Sequence, residues 1–487
     1  MLSTGDEFCL GAIMAKEERS VVACLRIAIA SAIGSVAWML AAAVMFVAMP
    51  QAQALPSFAR QTGLACGACH TSFPQLTPLG RRFKLMGYTQ TAPDTKPLGT
   101  PGWVPPISAM TITGFTHTNT PMDNAGSFLK PNDNVELQQM SWFYGGAITE
   151  HVGAFVQATY AGPQFGPPPS NQFMWDNLDV RYANTTNIGG IPIVYGVSVN
   201  NNPTVQDLWN TTPAWGYPFV ASNLANTPGA KTLIDNGFAA HVLGATSYVF
   251  VNDMWYLEGG GYGTLRSGLQ NALGVVALNG PQTTGLIPYF RAAFAPTWGP
   301  HSFEIGGFGL AANVLPVGGL LGTGVDQFRD VGIDSQYQYF GDGYAVTLRG
   351  TYLHEHQSLN ASFASGLTAN PTNTLNTFRA QGELALGGTV NKVILTGGYF
   401  NTWGSSDTIL YGGNRTFSPN SDGWVAEIAY MPFGKTNPPA IWPWFNAKIG
   451  LQYVWYNKFN GASVNFDGMG TNARDNNTLF AYFWASF

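Results

Sequence analysis

Tyr344-Ala345-Val346-Thr347-Leu348-Arg349-Gly350-Thr351-Tyr352 alternates with a period of two. In an extended chain Tyr344, Val346, Leu348 and Tyr352 share one face, and Ala345, Thr347, Arg349 and Thr351 share the other. One apolar face and one polar face suit a strand that stands between lipid and water. Trp424 to Tyr430 repeats the pattern, with Trp424, Ala426, Ile428 and Tyr430 opposing Val425, Glu427 and Ala429.

Working outward, sixteen segments of this kind begin near Ile107, Val135, His151, Trp175, Ile191, Ala239, Met254, Leu286, His301, Gln327, Tyr344, Thr377, Lys392, Gly423, Ile441 and Thr478. Short links fall around Thr149-Glu150, Asn184 to Gly190, Asn252-Asp253, Gly299-Pro300, Gly341 to Gly343, Gly388 to Asn391, and Gly434 to Ala440. Long links fall around Thr120 to Asn134, Ala161 to Met174, Asn201 to Gly237, Arg266 to Gly285, Val317 to Asp326, Asn360 to Asn376, Trp403 to Asp422, and Asn460 to Asn477. Short and long alternate throughout, as short periplasmic turns and long surface loops require. The expected fold is all-β: an antiparallel outer-membrane β-barrel of about sixteen strands over residues 106–487, an even number that closes the ring. In the last segment Leu479, Ala481, Phe483, Ala485 and the terminal Phe487 share a face, as expected of a barrel strand.

Composition agrees. Of 487 residues only 10 % are charged, against roughly 25 % in soluble domains. Aromatics make up 13 %, and there are 58 glycines. A net charge of −5 gives no basis for a nucleic-acid partner. Apart from one N-terminal run, no long apolar segment exists to build a helical membrane bundle. That run, Ile27 to Ala48, follows Lys16, Arg19 and Arg26 and precedes Ala52-Gln53-Ala54, so residues 1–54 read as an export signal. A retained transmembrane helix is the competing reading, and Met14 is a second candidate start. Of the four cysteines, Cys9 and Cys24 would leave with the signal, and Cys66 and Cys69 would remain.

Cys66-Gly67-Ala68-Cys69-His70 is C-x-x-C-H, the c-type haem attachment pattern. Two thiols three residues apart reach the two vinyl groups on one haem edge, and the adjacent imidazole turns under the ring to ligate iron. A thioredoxin-like disulfide would need a βαβ setting, which is lacking. Zinc would need further Cys or His, and none lies between His70 and His117. One covalently attached haem c is therefore expected. For the second axial position Met86 is the nearest sulfur downstream; Met110, His117 and an open site are rivals.

Residues 55–105 are too few to wrap a haem with a core of their own. A sixteen-stranded barrel has a wide lumen, so the expected arrangement places this segment inside it as a plug. The long link Asn201 to Gly237, with Trp209, Trp215 and Tyr217, is a candidate cover that folds inward over the haem. Asp123, Asp133, Asp207 and Asp326 fall on expected surface loops and are candidates to attract cations.

Pro56-Ser57-Phe58-Ala59-Arg60-Gln61-Thr62-Gly63, then C-x-x-C-H-Thr71, Pro74-Gln75-Leu76-Thr77-Pro78-Leu79-Gly80-Arg81 and Phe83-Lys84-Leu85-Met86-Gly87-Tyr88-Thr89 resemble the fused monohaem cytochrome–porins. These are the outer-membrane iron-oxidising cytochromes of chemolithotrophic bacteria. The stretch Asn202 to Phe219 also looks like that family. The resemblance is densest over Pro56 to Thr89 and elsewhere is one of architecture. It implies Fe(II) oxidation at the cell surface, with the electron passed to a periplasmic c-type cytochrome or other carrier. It implies thioether bonds at Cys66 and Cys69 and iron ligation by His70, and leaves the sixth ligand, Met86 included, open.

The alternatives are a diffusion porin with haem as a structural plug, an outlet to extracellular acceptors, and a site for reduced sulfur donors. A homotrimer in outer-membrane lipid is the assembly expected of a porin this size. Loops poor in charge and rich in Asn, Thr and Gly suit an acidic exterior.

Overall fold

The computed structural model describes residues 55–95, 100, 102–121, 129–160, 173–273, 280–316, 324–387, 391–432 and 444–487. The expected signal, residues 1–54 with Cys9 and Cys24, lies outside them. The described residues fall in one compact unit.

Sixteen long strands are present among the described residues. They are β1 (Ile107–Thr118), β2 (Asn134–Ala147), β3 (Val152–Tyr160), β4 (Phe173–Ile188), β5 (Ile191–Asn200), β6 (Val242–Val251), β7 (Trp255–Thr264) and β8 (Ile287–Phe294). They continue as β9 (His301–Val314), β10 (Asp326–Gly341), β11 (Tyr344–Ser358), β12 (Thr372–Leu386), β13 (Lys392–Gly404), β14 (Ser421–Met431), β15 (Asn446–Lys458) and β16 (Thr478–Ser486). Two-residue pieces, Thr283–Thr284 and Thr297–Trp298, extend the pairing of β9. Each long strand pairs antiparallel with its sequence neighbours, and β1 pairs with β16 from Met110↔Ser486 to Thr118↔Thr478. The ring is closed and has no free edge, as a sheet within lipid must be.

The facing of side chains follows the alternation. On β11 Leu348 is 51 % exposed, while its neighbours Thr347 and Arg349 are 1 % and 9 % exposed. On β14 Trp424, Ile428 and Tyr430 are exposed, while Val425, Glu427 and Ala429 are buried. The apolar side chains therefore point away from the lumen. A closed, even-stranded antiparallel barrel with that outer face is an outer-membrane barrel.

Three strand starts lie three or more residues from the expected ones. β12 begins at Thr372, not near Thr377. Over Thr372 to Asn376 the outward residues Thr372, Thr374 and Asn376 are polar, so the apolar alternation is missing, although Asn373 and Leu375 are buried and pairing with β11 continues. β6 begins at Val242, after a turn in which Ala240 has φ of 63°. β15 begins at Asn446, and the expected start at Ile441 falls outside the described residues.

Before β1 come α1 (Pro56–Thr62), α2 (Cys66–Cys69) and α3 (Pro78–Leu85). Pro56 opens α1, and Gly63, at φ of 67°, closes it in the left-handed region. Thr77 caps α3, its hydroxyl accepting from the N–H of Gly80, and Pro78 fills the first turn. This segment bonds to inward-facing side chains around the wall. The Thr71 and Ser72 hydroxyls donate to Glu383 on β12 at 3.1 and 2.6 Å. Arg81 donates to Ser302 on β9 and to Gln336 on β10 at 2.6 and 2.9 Å. The Tyr88 hydroxyl donates to Asp179 on β4 at 2.6 Å, and the Tyr248 hydroxyl on β6 donates to the Leu85 carbonyl at 2.6 Å. Partners spread over so many strands fix the segment within the lumen. On β3, Gly153 leaves room for it: a Cβ there would sit 2.2 Å from the carbonyl oxygen of Gly87.

Candidate haem-binding cavity in the barrel lumen

The single turn of α2 carries Cys66 and Cys69, and His70 follows in extended conformation, its N–H donating to the Cys66 carbonyl at 2.7 Å. The turn is held from α3. The Thr77 N–H donates to the Cys69 carbonyl at 2.9 Å, and its hydroxyl donates to the Ala68 carbonyl at 2.6 Å. Gly80 lies so close that a Cβ would meet the Cys69 carbonyl oxygen at 2.3 Å. Lys392 of β13 donates to the carbonyls of His70 and Thr71 at 2.9 and 3.0 Å.

Cys66, Cys69 and His70 open together onto one cavity. Its volume is about 360 Å³, within the roughly 300–1000 Å³ usual for a bound small molecule or cofactor. Phe58, Phe73, Phe143, Phe155, Phe219 and Trp484 make most of its apolar wall, and Met110 and Trp215 join them. One end is polar instead, formed by Gln139, Gln157, Asp176 and Asn177.

The donor set fits a covalently held haem. No disulfide joins Cys66 to Cys69. Burial pushes the Cys69 thiol up to about 11, so this is a poor place for a thiolate and a good one for a neutral thioether. Burial pushes the His70 imidazole down to about 4, leaving it neutral at ordinary pH. Its Nδ1 lies 3.2 Å from the Gln75 carbonyl. A carbonyl only accepts, so Nδ1 carries the proton and Nε2 keeps its lone pair for a metal. Among the described residues no cluster of three or more His, Cys, Asp or Glu could hold a bare metal ion.

The other candidates separate. Met86 caps the C-terminal end of α3 and packs against the cluster of Leu85, Val194, Leu208, Trp209, Tyr248 and Tyr256; it is not part of the cavity wall. Met110 is. His117 sits near the long-loop end of β1, its Nδ1 2.7 Å from Asp133. The long connection after β5 does reach the cavity, through Asn210, Ala214, Trp215, Gly216 and Phe219.

Two expected surface carboxylates are not at the surface. Asp207 is fully buried, 3.3 Å from Arg291 and accepting from the N–H groups of Trp209, Thr211 and Thr212. Burial alone would raise its carboxyl, but Arg291, Lys84 and those backbone donors outweigh it and hold it at about 2. The connection folds inward, so a loop residue by sequence becomes an anchor. Asp326 is also buried, and accepts from the N–H groups of Ala361 and Ser362 in the short helix Asn360–Ala364 at 2.9 and 3.1 Å. Asp133 is exposed, as expected, and Asp123 lies outside the described residues.

The polar end was not foreseen, because it depends on two β-bulges. Pairing of β1 with β2 slips between Ile112 and Thr113, where Gln138 is the extra residue. Pairing of β3 with β4 slips between Val156 and Ala158, opposite Asp176 and Asn177. A bulge re-aims side chains, and at each of these two consecutive residues turn to the lumen.

No family model matches the chain, and no curated protein matches it. Among solved structures it is similar to an anion-selective porin from Comamonas acidovorans, at 13 % identity and a TM-score of 0.44, over 78 % of this chain and 98 % of that one. It is also similar to OmpF of Salmonella typhi, at 13 % identity and a TM-score of 0.41, over 78 % and 97 %. A third is a loop-deletion mutant of OmpT of Vibrio cholerae, at 9 % and 0.41, over 78 % and 97 %. Likeness this distant carries nothing about activity; the fold rests on the strand pairing above.

Proposed function

We propose that this chain is an outer-membrane c-type cytochrome built into a porin-like barrel, which takes electrons from extracellular Fe(II) and passes them to periplasmic carriers. The observation that carries this reading is the large apolar cavity, inside a closed barrel, onto which both thiols and the imidazole of C-x-x-C-H open. The resemblance of Pro56 to Thr89 to the cytochrome–porins supplies the donor and the direction.

When bound, haem c supplies a one-electron centre whose potential follows its axial ligands, burial and hydrogen bonds. Cys66 and Cys69 would hold it by thioethers and His70 would ligate its iron through Nε2; Met110 borders the same cavity. Gln75 fixes the imidazole tautomer, and Lys392 and Thr77 fix the turn that carries it. The aromatic wall would give the porphyrin apolar contact. The lumenal segment and the inward connection occupy the space that a diffusion porin leaves open.

The test is anaerobic addition of Fe(II) to the purified oxidised holoprotein, from strongly acidic to neutral pH. Growth of the reduced haem spectrum supports the reading. No reduction at any pH defeats it, and large open currents in a planar bilayer would favour the porin instead.

A further inference from the structure

The haem cavity has a neighbour. A second cavity of about 410 Å³ is lined by Gln138, Gln139, Ser222, Asn223 and Thr227, and it shares Ile112, Gln139 and Phe219 with the first. It lies toward the long-loop end of β1 and β2, beneath the connection that follows β5. No Lys, Arg or His lines it. The bulge at Gln138 builds the junction, because it turns both Gln138 and Gln139 inward. Glu136 stands beside this space, accepting from the Gln138 amide, and its second oxygen is buried with no partner.

The second bulge faces the same way. It turns Asp176 and Asn177 into the haem cavity next to Gln157. The Asp176 carboxylate accepts from the Thr159 hydroxyl at 2.8 Å and from the Asn177 amide at 3.1 Å; that amide also donates to the Gln157 oxygen at 3.0 Å. The donors thus orient oxygens of Asp176 and Gln157. The cation nearest in kind, Lys84, also borders the cavity, but its ammonium donates to the Val205 carbonyl at 2.8 Å and lies over the Trp215 ring. What remains at this end is a carboxylate among amides.

We infer that the vestibule bounded by Gln138, Gln139 and Asn223 admits a small hydrated divalent cation, which is held beside the haem by Asp176, Gln157 and Asn177. This deepens the preceding proposal and rests on it for the cation's redox role. Oxygen ligands of this kind suit hard, hydrated dications and bind them weakly enough for turnover. One Fe(II) held there becomes Fe(III) as one ferric haem becomes ferrous, with no group transferred. A mineral surface or a protein has no route to this position.

The site is tested on the holoprotein with Mn(II) as a redox-silent probe, its binding followed by electron paramagnetic resonance. Asp176→Asn should weaken Mn(II) binding about tenfold and raise the half-saturating Fe(II) for haem reduction by a similar factor. The haem spectrum and reduction by dithionite should not change. Gln157→Leu should act in the same direction and serves if Asp176→Asn does not assemble. Mn(II) binding indifferent to both substitutions, or dithionite reduction slowed as much as Fe(II) reduction, overturns the inference. If wild-type haem is never reduced by Fe(II) yet Asp176-dependent Mn(II) binding persists, the iron reading fails and the cation site stands. A thiol at Ala221→Cys, on the vestibule, should react with a polyethylene-glycol maleimide, and the adduct should slow reduction by Fe(II). Undiminished reduction by Fe(II) in the adduct overturns the access route.

Discussion

Along β8, β9 and β10 the lumen is filled by charge, whereas along β1 to β3 and the start of β4 it is lined by rings, amides and one carboxylate, Asp176, around a cavity. On the first wall Arg291 meets Asp334, Glu304 and Asp207 at 2.7, 3.1 and 3.3 Å, all four essentially without solvent exposure. On the second wall Met110, Phe143, Phe155, Gln157 and Asp176 border open space. Buried ion pairs recover little net stability, because desolvation offsets their attraction, but they tolerate only one geometry. The charged wall therefore fixes where the inward connection and, through Arg81, the N-terminal segment sit. The cavity wall leaves room for a large apolar group. Position is set on one side so that volume can be kept on the other.

The largest effect expected concerns the cavity side. Replacing both Cys66 and Cys69 by alanine should abolish covalent pigment, so acid–acetone extraction leaves the polypeptide colourless while the strand signal in circular dichroism remains. Covalent pigment in that double variant would end the haem assignment. Next comes the charged side. Arg291→Met leaves Asp207, Glu304 and Asp334 without their cation and should cost about 3–5 kcal/mol. The temperature at which the barrel unfolds on an electrophoretic gel should fall, and current through a planar bilayer should rise. An unchanged transition would show that the charged wall does not lock the inward connection.

Gly80→Ala sharpens the comparison from within the segment. Its Cβ would press on the Cys69 carbonyl, and the overpacking should cost about 1–3 kcal/mol. Loss of the haem spectrum on heating should shift downward while barrel unfolding does not; equal shifts in both would mean that segment and barrel melt as one. The smallest effect belongs to Arg82→Ala. The Arg82–Asp253 pair, at 2.7 Å, is largely exposed, so its removal should change stability by at most about 1 kcal/mol, and less in high salt.

Much of the barrel was legible because lipid imposes a rule on every second residue. The strands near Ile107, Ile191, His301, Tyr344, Lys392 and Thr478 start where the alternation starts. Thr372 to Asn376 escaped because their outward residues are polar. Cys66, Cys69 and His70 were legible because contiguity in sequence suffices for their chemistry. Asp176, Gln157 and Met110 were not legible as one wall: they come together only once β1 to β4 are paired and bulged. Asp207 misled for the same reason, since nothing local to Asn201–Gly237 reveals that Arg291, more than eighty positions onward, awaits it.

The bonds from the N-terminal segment to strands as far apart as β2, at Ala147, and β13, at Lys392, impose an order on biogenesis. Thiols enclosed by a finished ring are out of reach of any enzyme that joins them to a porphyrin. On the proposed reading, pigmentation must then come before closure, while the leader still trails in the periplasm. An assembly intermediate would be coloured before it is folded, and a cell short of haem would accumulate unfinished chains instead of empty pores.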